Sequence, residues 1–522
     1  MPNSFDFLKN ITLGTYDPFW KSIAIHNEQI NGIEKEHPEV LNNLVTFHET
    51  FHWLQLSTSS VGHLISLYPF FHKNIVSMYV DYETKDDSFF EVTCPLIDEI
   101  KKRNNTNSVI FYSDLNDINN STKFFNDNIS HEEWLDNGKE YLHALFAFYD
   151  MYLMHSKKII VKDFGEAEYN NLVEENRHYW NDRIDITAHF CSSDLPLIGF
   201  RDLVECAARI IEIYNYNVIC EHYSALNKEY KIDTGYLFHE AYFRPIEYVN
   251  KFFKDDLKDG LNNEVLEFLL LAIHISINPP LLPSYKLYNS THSLSDIHPG
   301  MRFFKICDYV QKAYGSCITA IKTENLYDQI IEELEWFNDK AMFSMYDDIF
   351  NKFYNRIEKH DDGQTIIGND KLYEFDFYIY NYYKYIKTKS NYTDYFINPI
   401  KQMFENRDLN SATEVDKNVH CPVLFNPTTN QYQVNCSGFS YELYNSDKSL
   451  AGEISTNIPL TDQIQQYFIN VVFLSIYLDL DKQLLYDNKI DLDIFKLIDA
   501  KDSLKNDLLN IYNATRRLKL IF

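Results

Sequence analysis

The chain has 522 residues, a formal net charge of −28, 45% hydrophobic and 24% charged residues. That composition is ordinary for a globular protein and long enough for two to four domains. The strong acidity argues against nucleic acid as a partner, because phosphate binding rests on clustered Lys and Arg, and the one basic cluster, Arg516-Arg517-Leu518-Lys519, is short.

Gly and Pro number only 14 and 15, against 39 Tyr and 38 Phe. Few turn formers and abundant aromatic surface predict long helices with few hairpins. The fold class expected is mainly α (α+β). The opening residues Met1 to Asp6 lack the layout of a signal peptide. The longest apolar runs, 268–277 and 468–478, fall well short of the roughly 20 residues that span a bilayer. The eight cysteines form no C-x-x-C pair, which speaks against a zinc ribbon and for a reduced interior. A cytoplasmic protein without membrane partners is expected.

In chain order, residues 1–36 read as an irregular or strand-bearing lead-in. A helix is expected to open at His37-Pro38-Glu39, since Pro suits the first turn and Glu the positive helix end. It should run at least to Ser57, bend at Gly62 and stop at Pro69. Residues 75–130 read as short apolar runs between polar loops, among them 101–107 and 116–122. Helical spacing of apolar residues then predicts helices over 132–157, 201–227 and 262–277, the last stopped by Asn278-Pro279-Pro280. A polar loop follows over 281–300, with Pro299 opening the next helix. A charged helix is expected over 324–357 and a turn at Asp361-Asp362-Gly363. Between Val423-Leu424-Phe425 and Tyr432-Gln433-Val434, the run Asn426-Pro427-Thr428-Thr429-Asn430 predicts a β-hairpin near 420–436. The tail, 462–522, reads as amphipathic helix. The working division is 1–130, an N-terminal region with the motif helix described next; 131–345, a helical region supplying a third ligand and the substrate cleft; and 346–522, a helical C-terminal region with the hairpin.

The chemistry is concentrated in Phe47-His48-Glu49-Thr50-Phe51-His52-Trp53-Leu54-Gln55, which contains H-E-x-x-H. Glu49 is the one charged side chain between Val40 and His72. A carboxylate in so apolar a helix needs a compensating charge. Residues four apart share a helix face, so His48 and His52 can offer two nitrogens to one divalent ion, with Glu49 beside it as a general base. Catalytic zinc usually takes a third protein ligand. The best candidate is Glu205, in the apolar run Leu203-Val204-Glu205-Cys206-Ala207-Ala208; Glu212, Glu221 and His222 are fallbacks. The competing role for Glu205 is an ion pair with Arg209, one turn on. Glu212 shares the face of Glu205 and is placed to accept from a ligand histidine or from Arg209. Gln55 lies on the face of His48 and His52. It would orient a ligand or hold substrate backbone, or else be a satisfied buried amide.

H-E-x-x-H followed by a Glu on a second helix, in a setting like E-x-x-A, resembles the gluzincin branch of the zincin metallopeptidases. His48-Glu49 through His52-Trp53-Leu54-Gln55, with Ser57-Thr58 and Gly62 following, is also similar to bacterial H-E-x-x-H-x-x-Q proteins. The resemblance covers some 25 residues around the motif and 15 around Glu205. It implies a zincin-like catalytic core with a long central H-E-x-x-H helix and large helical insertions. It also implies His48, His52 and Glu205 as ligands of Zn2+ and Glu49 as general base. The spacing departs from the family, for Glu205 lies 153 residues beyond His52. A later segment, Ser295-Asp296-Ile297-His298-Pro299-Gly300-Met301-Arg302, offers His298 or Arg302 as a donor to a reaction oxyanion, or else a plain helix start with a surface Arg.

The reading is therefore a zinc-dependent metallopeptidase, a hydrolase acting on a protein or peptide substrate and restrained by narrow specificity, a covered cleft or a regulatory protein partner. The alternatives are a zincin-like module that binds or senses without cleaving, and a zinc hydrolase of a non-peptide amide.

Overall fold

The computed structural model describes residues 13–17, 22–26, 30, 38–83, 90–93, 102, 106–181, 197–225, 242, 244–253, 263–279, 281, 297–315, 326–334 and a few positions between 352 and 386, together with short strands beyond 420. Helices dominate. In chain order they are α1 (Pro38–Thr58), α2 (Ser60–Ser66), α3 (Tyr68–Glu83), α4 (Thr106–Asn126), α5 (His131–Phe164), α6 (Glu166–Asn181), α7 (Phe200–Ala225), α8 (Arg244–Phe252), α9 (Asn263–Ser276), α10 (Pro299–Tyr314) and α11 (Leu326–Glu333). Among the described residues no helix is long and apolar enough to cross a membrane.

The chain divides into two compact units, each gathered from three stretches: Met1–Ile11, Glu39–Ile65 and Asn120–Val419 in one; Thr12–Pro38, Ser66–Asn119 and His420–Phe522 in the other.

The first unit is organised around α7. Leu203, Cys206, Ala207, Ala208, Ile210 and Ile211 are at most 1% exposed. That apolar surface supplies most of the drive for packing, at roughly 25 cal/mol per Å² removed from water. Helices α8, α9 and α10 pack around α7. Its start is fixed from several sides. Leu197 and Ile129 exchange backbone hydrogen bonds. Gly199 lies so close to the carbonyls of Asn126 and Asp127 that a Cβ would meet them at 2.3 and 2.4 Å, so no larger residue fits. Asp202 accepts from the Gly199 N–H and from Arg244 Nη1, tying the first turn of α8 to that of α7.

α1 opens with Pro38, as its sequence signals require, and runs to Thr58. It stops because Ser59 turns to cap α2, its Oγ accepting the Gly62 N–H. Ser60 Oγ donates to Pro279 O, and Val61 N to Ile277 O, which fastens this break to the end of α9. A Cβ on Gly62 would meet Leu56 O at 2.1 Å, so the break depends on glycine.

Several expectations change here. Pro69 does not stop a helix; it sits in the first turn of α3, where its missing N–H costs nothing. Residues 116–122 are not a loop but the middle of α4, because Leu115 and Ile118 are buried and packing overrides the weak helix propensity of Asn and Asp. Of the helix expected over 324–357, α11 and the helical residue Lys352 are the described parts. The turn at 361–363 and most of 281–300 and of the tail lie outside the described residues.

The second unit carries the strands: β1 (Gly14–Asp17), β2 (Ser22–Ile25), β3 (Phe90–Thr93), β4 (Val423–Asn426), β5 (Gln431–Val434), β6 (Glu442–Tyr444), β7 (Leu450–Glu453) and β8 (Leu518–Ile521). One sheet runs β1-β2-β4-β5-β6-β7, with β2 and β4 parallel and its other neighbours antiparallel. β3 pairs with β8 in parallel, so residues 518–521 of the tail are strand rather than helix. In the same unit, Tyr79 of α3 packs on Phe111 of α4.

Candidate metal centre

α1 and α7 place the chemistry together. His48 and His52 are four residues apart on α1, and both are under one-tenth exposed. Glu205, Arg209 and Glu212 recur at helical spacing along α7. His48 Nε2 and His52 Nε2 are 3.0 Å apart. Glu205 Oε2 lies 3.4 Å from the first and 3.2 Å from the second. The carboxylate expected to compete for Arg209 does not: Arg209 Nη1 donates to Glu212 Oε2 across 2.6 Å, leaving Glu205 to the histidines.

These three edges test whether a metal fits. Donor atoms about 2.0–2.1 Å from a tetrahedral zinc are about 3.3–3.4 Å from each other. A triangle of 3.0, 3.2 and 3.4 Å is close to one face of such a tetrahedron. One ion can therefore reach all three atoms with little movement. Among the described residues this is the one group of three such side chains whose ligand atoms lie within 4.8 Å of one another. Two nitrogens and a carboxylate oxygen suit zinc.

The surroundings hold the ligands in the required form. His48 Nδ1 donates to Glu212 Oε2 at 3.2 Å, which leaves Nε2 as the atom that faces Glu205 and His52 and that a metal ion would take in place of a proton. Glu212 is 2% exposed and Arg209 7%, so the Arg209 charge offsets a carboxylate that could not otherwise be buried. The Arg209 guanidinium also lies over the ring of Tyr242, 4.2 Å from its centroid, and that ring meets the His48 ring edge to face at 5.9 Å.

Electrostatically the cluster favours a cation. Burial pulls the His48 imidazole down. Hydrogen bonds to Glu205 and Glu212, with the charges of Glu212 and Glu49, outweigh it and lift the group to about 9. Burial pushes Glu205 up, but His52 and His48 hold it well below the usual carboxylate range. Glu49, 6% exposed, is pushed up by burial, with His48 and His52 opposing. A proton on His48 and a metal ion would thus compete for one position.

His298 and Arg302 are not gathered with this group. His298 is the N-cap of α10: its Nδ1 accepts from the Gly300 and Met301 N–H groups, and its Nε2–H donates to Phe124 O at 2.8 Å. Both ring nitrogens are committed, so the expected oxyanion role is replaced by a structural one. Burial keeps this imidazole neutral, pulled down to about 3. Arg302 is 1% exposed, not a surface residue, and its Nη2 donates to Ile275 O in the core. The fallback ligands Glu221 and His222 fall on α7, with side chains outside the described residues; Glu212 sits behind His48 rather than among the ligands.

Tyr242 is the residue that sequence reasoning missed. Its phenol feels Glu205, Glu212 and Glu49 as well as Arg209. No local pattern marks it, and it is a single described residue just before α8. The ion pair of Arg244 with Asp202 ties the start of α8 to α7.

The chain matches no protein-family model, no curated protein and no solved structure.

Proposed function

We propose that the protein is a zinc-dependent metallopeptidase whose His48, His52 and Glu205 hold the metal around a zincin-like α1–α7 core. The observation that carries this reading is the near-tetrahedral face formed by the three donor atoms, with Glu49 buried one residue from the first. Zinc, when bound, acidifies a water and polarises a carbonyl, the chemistry that amide hydrolysis needs.

The protein's own groups do the rest. Glu49 takes a proton from the attacking water and delivers it to the leaving nitrogen. Burial already raises its affinity for that proton, and a neighbouring cation lowers it, which brings the carboxyl toward the range a shuttle requires. Glu212 holds His48 in the Nδ1–H tautomer, and Arg209 holds Glu212. Tyr242, with its ring set by Arg209 and His48, supplies an O–H donor to the charge that develops on the substrate oxygen. The substrate is a protein or peptide, the setting is the cytoplasm, and restraint comes from narrow specificity, a covered cleft or a protein partner.

The experiment is expression of wild type and Glu49→Gln in parallel, followed by a proteome-wide search for new chain termini. New termini that appear with the wild type and not with the variant support the reading. Identical terminus profiles, with both proteins folded and zinc-loaded, would refute it.

A further inference from the structure

Three buried side-chain atoms on α1 have no hydrogen-bond partner, Asn42 Oδ1, His52 Nδ1 and Gln55 Oε1, and the last two stand beside the metal-site residues. Both residues are more than nine-tenths buried, at 8% and 7% exposure. They stand three residues apart, which brings two side chains onto neighbouring positions of one helix face.

Their chemistry is complementary. His52 presents Nε2 toward Glu205 and His48 Nε2. An imidazole that gives its Nε2 lone pair to a cation carries its proton on Nδ1, where it becomes a buried donor. Gln55 Oε1 can only accept. Leaving either alone in the interior is costly; pairing them satisfies both.

We propose that Gln55 is the positioning residue for His52, accepting its Nδ1–H as Glu212 accepts that of His48. This inference rests on the metal-site reading and extends it. The two histidines then differ in kind. His48 is backed by a charged carboxylate and His52 by a neutral amide, so negative charge behind the site is limited to Glu212, itself offset by Arg209. Of the roles expected for Gln55 the orienting one is taken here, and in the structure its amide oxygen has no hydrogen-bond partner.

The test measures zinc dissociation constants by chelator competition for wild type, Gln55→Met and Gln55→Glu, beside the melting temperature of each zinc-free protein. Gln55→Met keeps the volume and removes the acceptor; it should weaken zinc binding by about 10–100-fold while leaving zinc-free melting unchanged or raised. Gln55→Glu restores an acceptor and should bind at least as tightly as wild type, which also serves if the Met variant fails to fold. A Met variant that binds zinc as wild type does, or a Glu variant that binds as weakly as Met, overturns the inference while the metal site stands. A folded wild type that binds no zinc overturns the site and this inference with it.

Discussion

Glu212 and His48 stand 164 positions apart in the sequence, yet Glu212 Oε2 accepts the His48 Nδ1 proton across 3.2 Å. The same oxygen takes Arg209 Nη1 at 2.6 Å. One carboxylate atom thus links the charge balance of α7 to the tautomer of a ligand on α1. Glu212→Gln should therefore weaken zinc binding by about 10–100-fold although no ligand is lost. Glu212→Ala should in addition destabilise the fold by about 3–5 kcal/mol, because it removes the buried carboxylate that Arg209 pairs with. Chelator competition and denaturant melts measure the two effects separately.

Glu49→Gln keeps the shape of α1 and removes the proton carrier. It should retain zinc and lose about 10²–10⁴-fold in hydrolysis. Tyr242→Phe keeps the ring against Arg209 and His48 and removes only the O–H. About 10²-fold should disappear from kcat with zinc content unchanged. Steady-state kinetics on a cleavable peptide, beside elemental analysis, would separate these effects from metal loss.

A metal ion at His48 would compete with a proton. With the imidazole lifted to about 9, binding zinc must expel one proton below that pH. Affinity should fall about tenfold per pH unit as the pH drops from 9 toward 6, and level off above 9. Calorimetry in buffers of different ionisation enthalpy would count the proton released. A pH-independent affinity across that range would contradict the assignment.

Much of the site was legible because its signals are local. A lone Glu in an apolar helix, flanked by histidines four apart, marks a candidate site from α1 alone, and the buried run around Glu205 marks α7 as the helix that meets it. Pairings across the fold were not legible. Arg209 is within one helical turn of both Glu205 and Glu212, and sequence spacing alone does not decide between them. Tyr242 carries no periodic pattern. His298-Pro299 was read correctly as a helix start, but sequence does not reveal that Phe124 O takes the second ring nitrogen. The start of α3 at Tyr68 was missed because Pro69 reads equally as a helix stop and as a first-turn residue, and the helical 116–122 stretch because burial overrode local propensity.

The cap at His298 has its own consequence for acid stability. Its folded value, about 3, lies below the ordinary 6.5, so between these pH values the unfolded chain binds the extra proton. The stabilisation is present above about pH 6.5 and drains as the pH falls, by about 1.4 kcal/mol per unit. His298→Asn keeps a capping side chain and removes the titration. Its melting temperature should decline less steeply between pH 6.5 and 4 than that of wild type.

The central claim, a metal held by His48, His52 and Glu205, is tested most directly by elemental mass spectrometry of purified wild type beside His48→Ala. The account predicts about one zinc per wild-type chain and its loss in the variant. A folded wild type that holds no zinc, even after zinc is supplied, would contradict it.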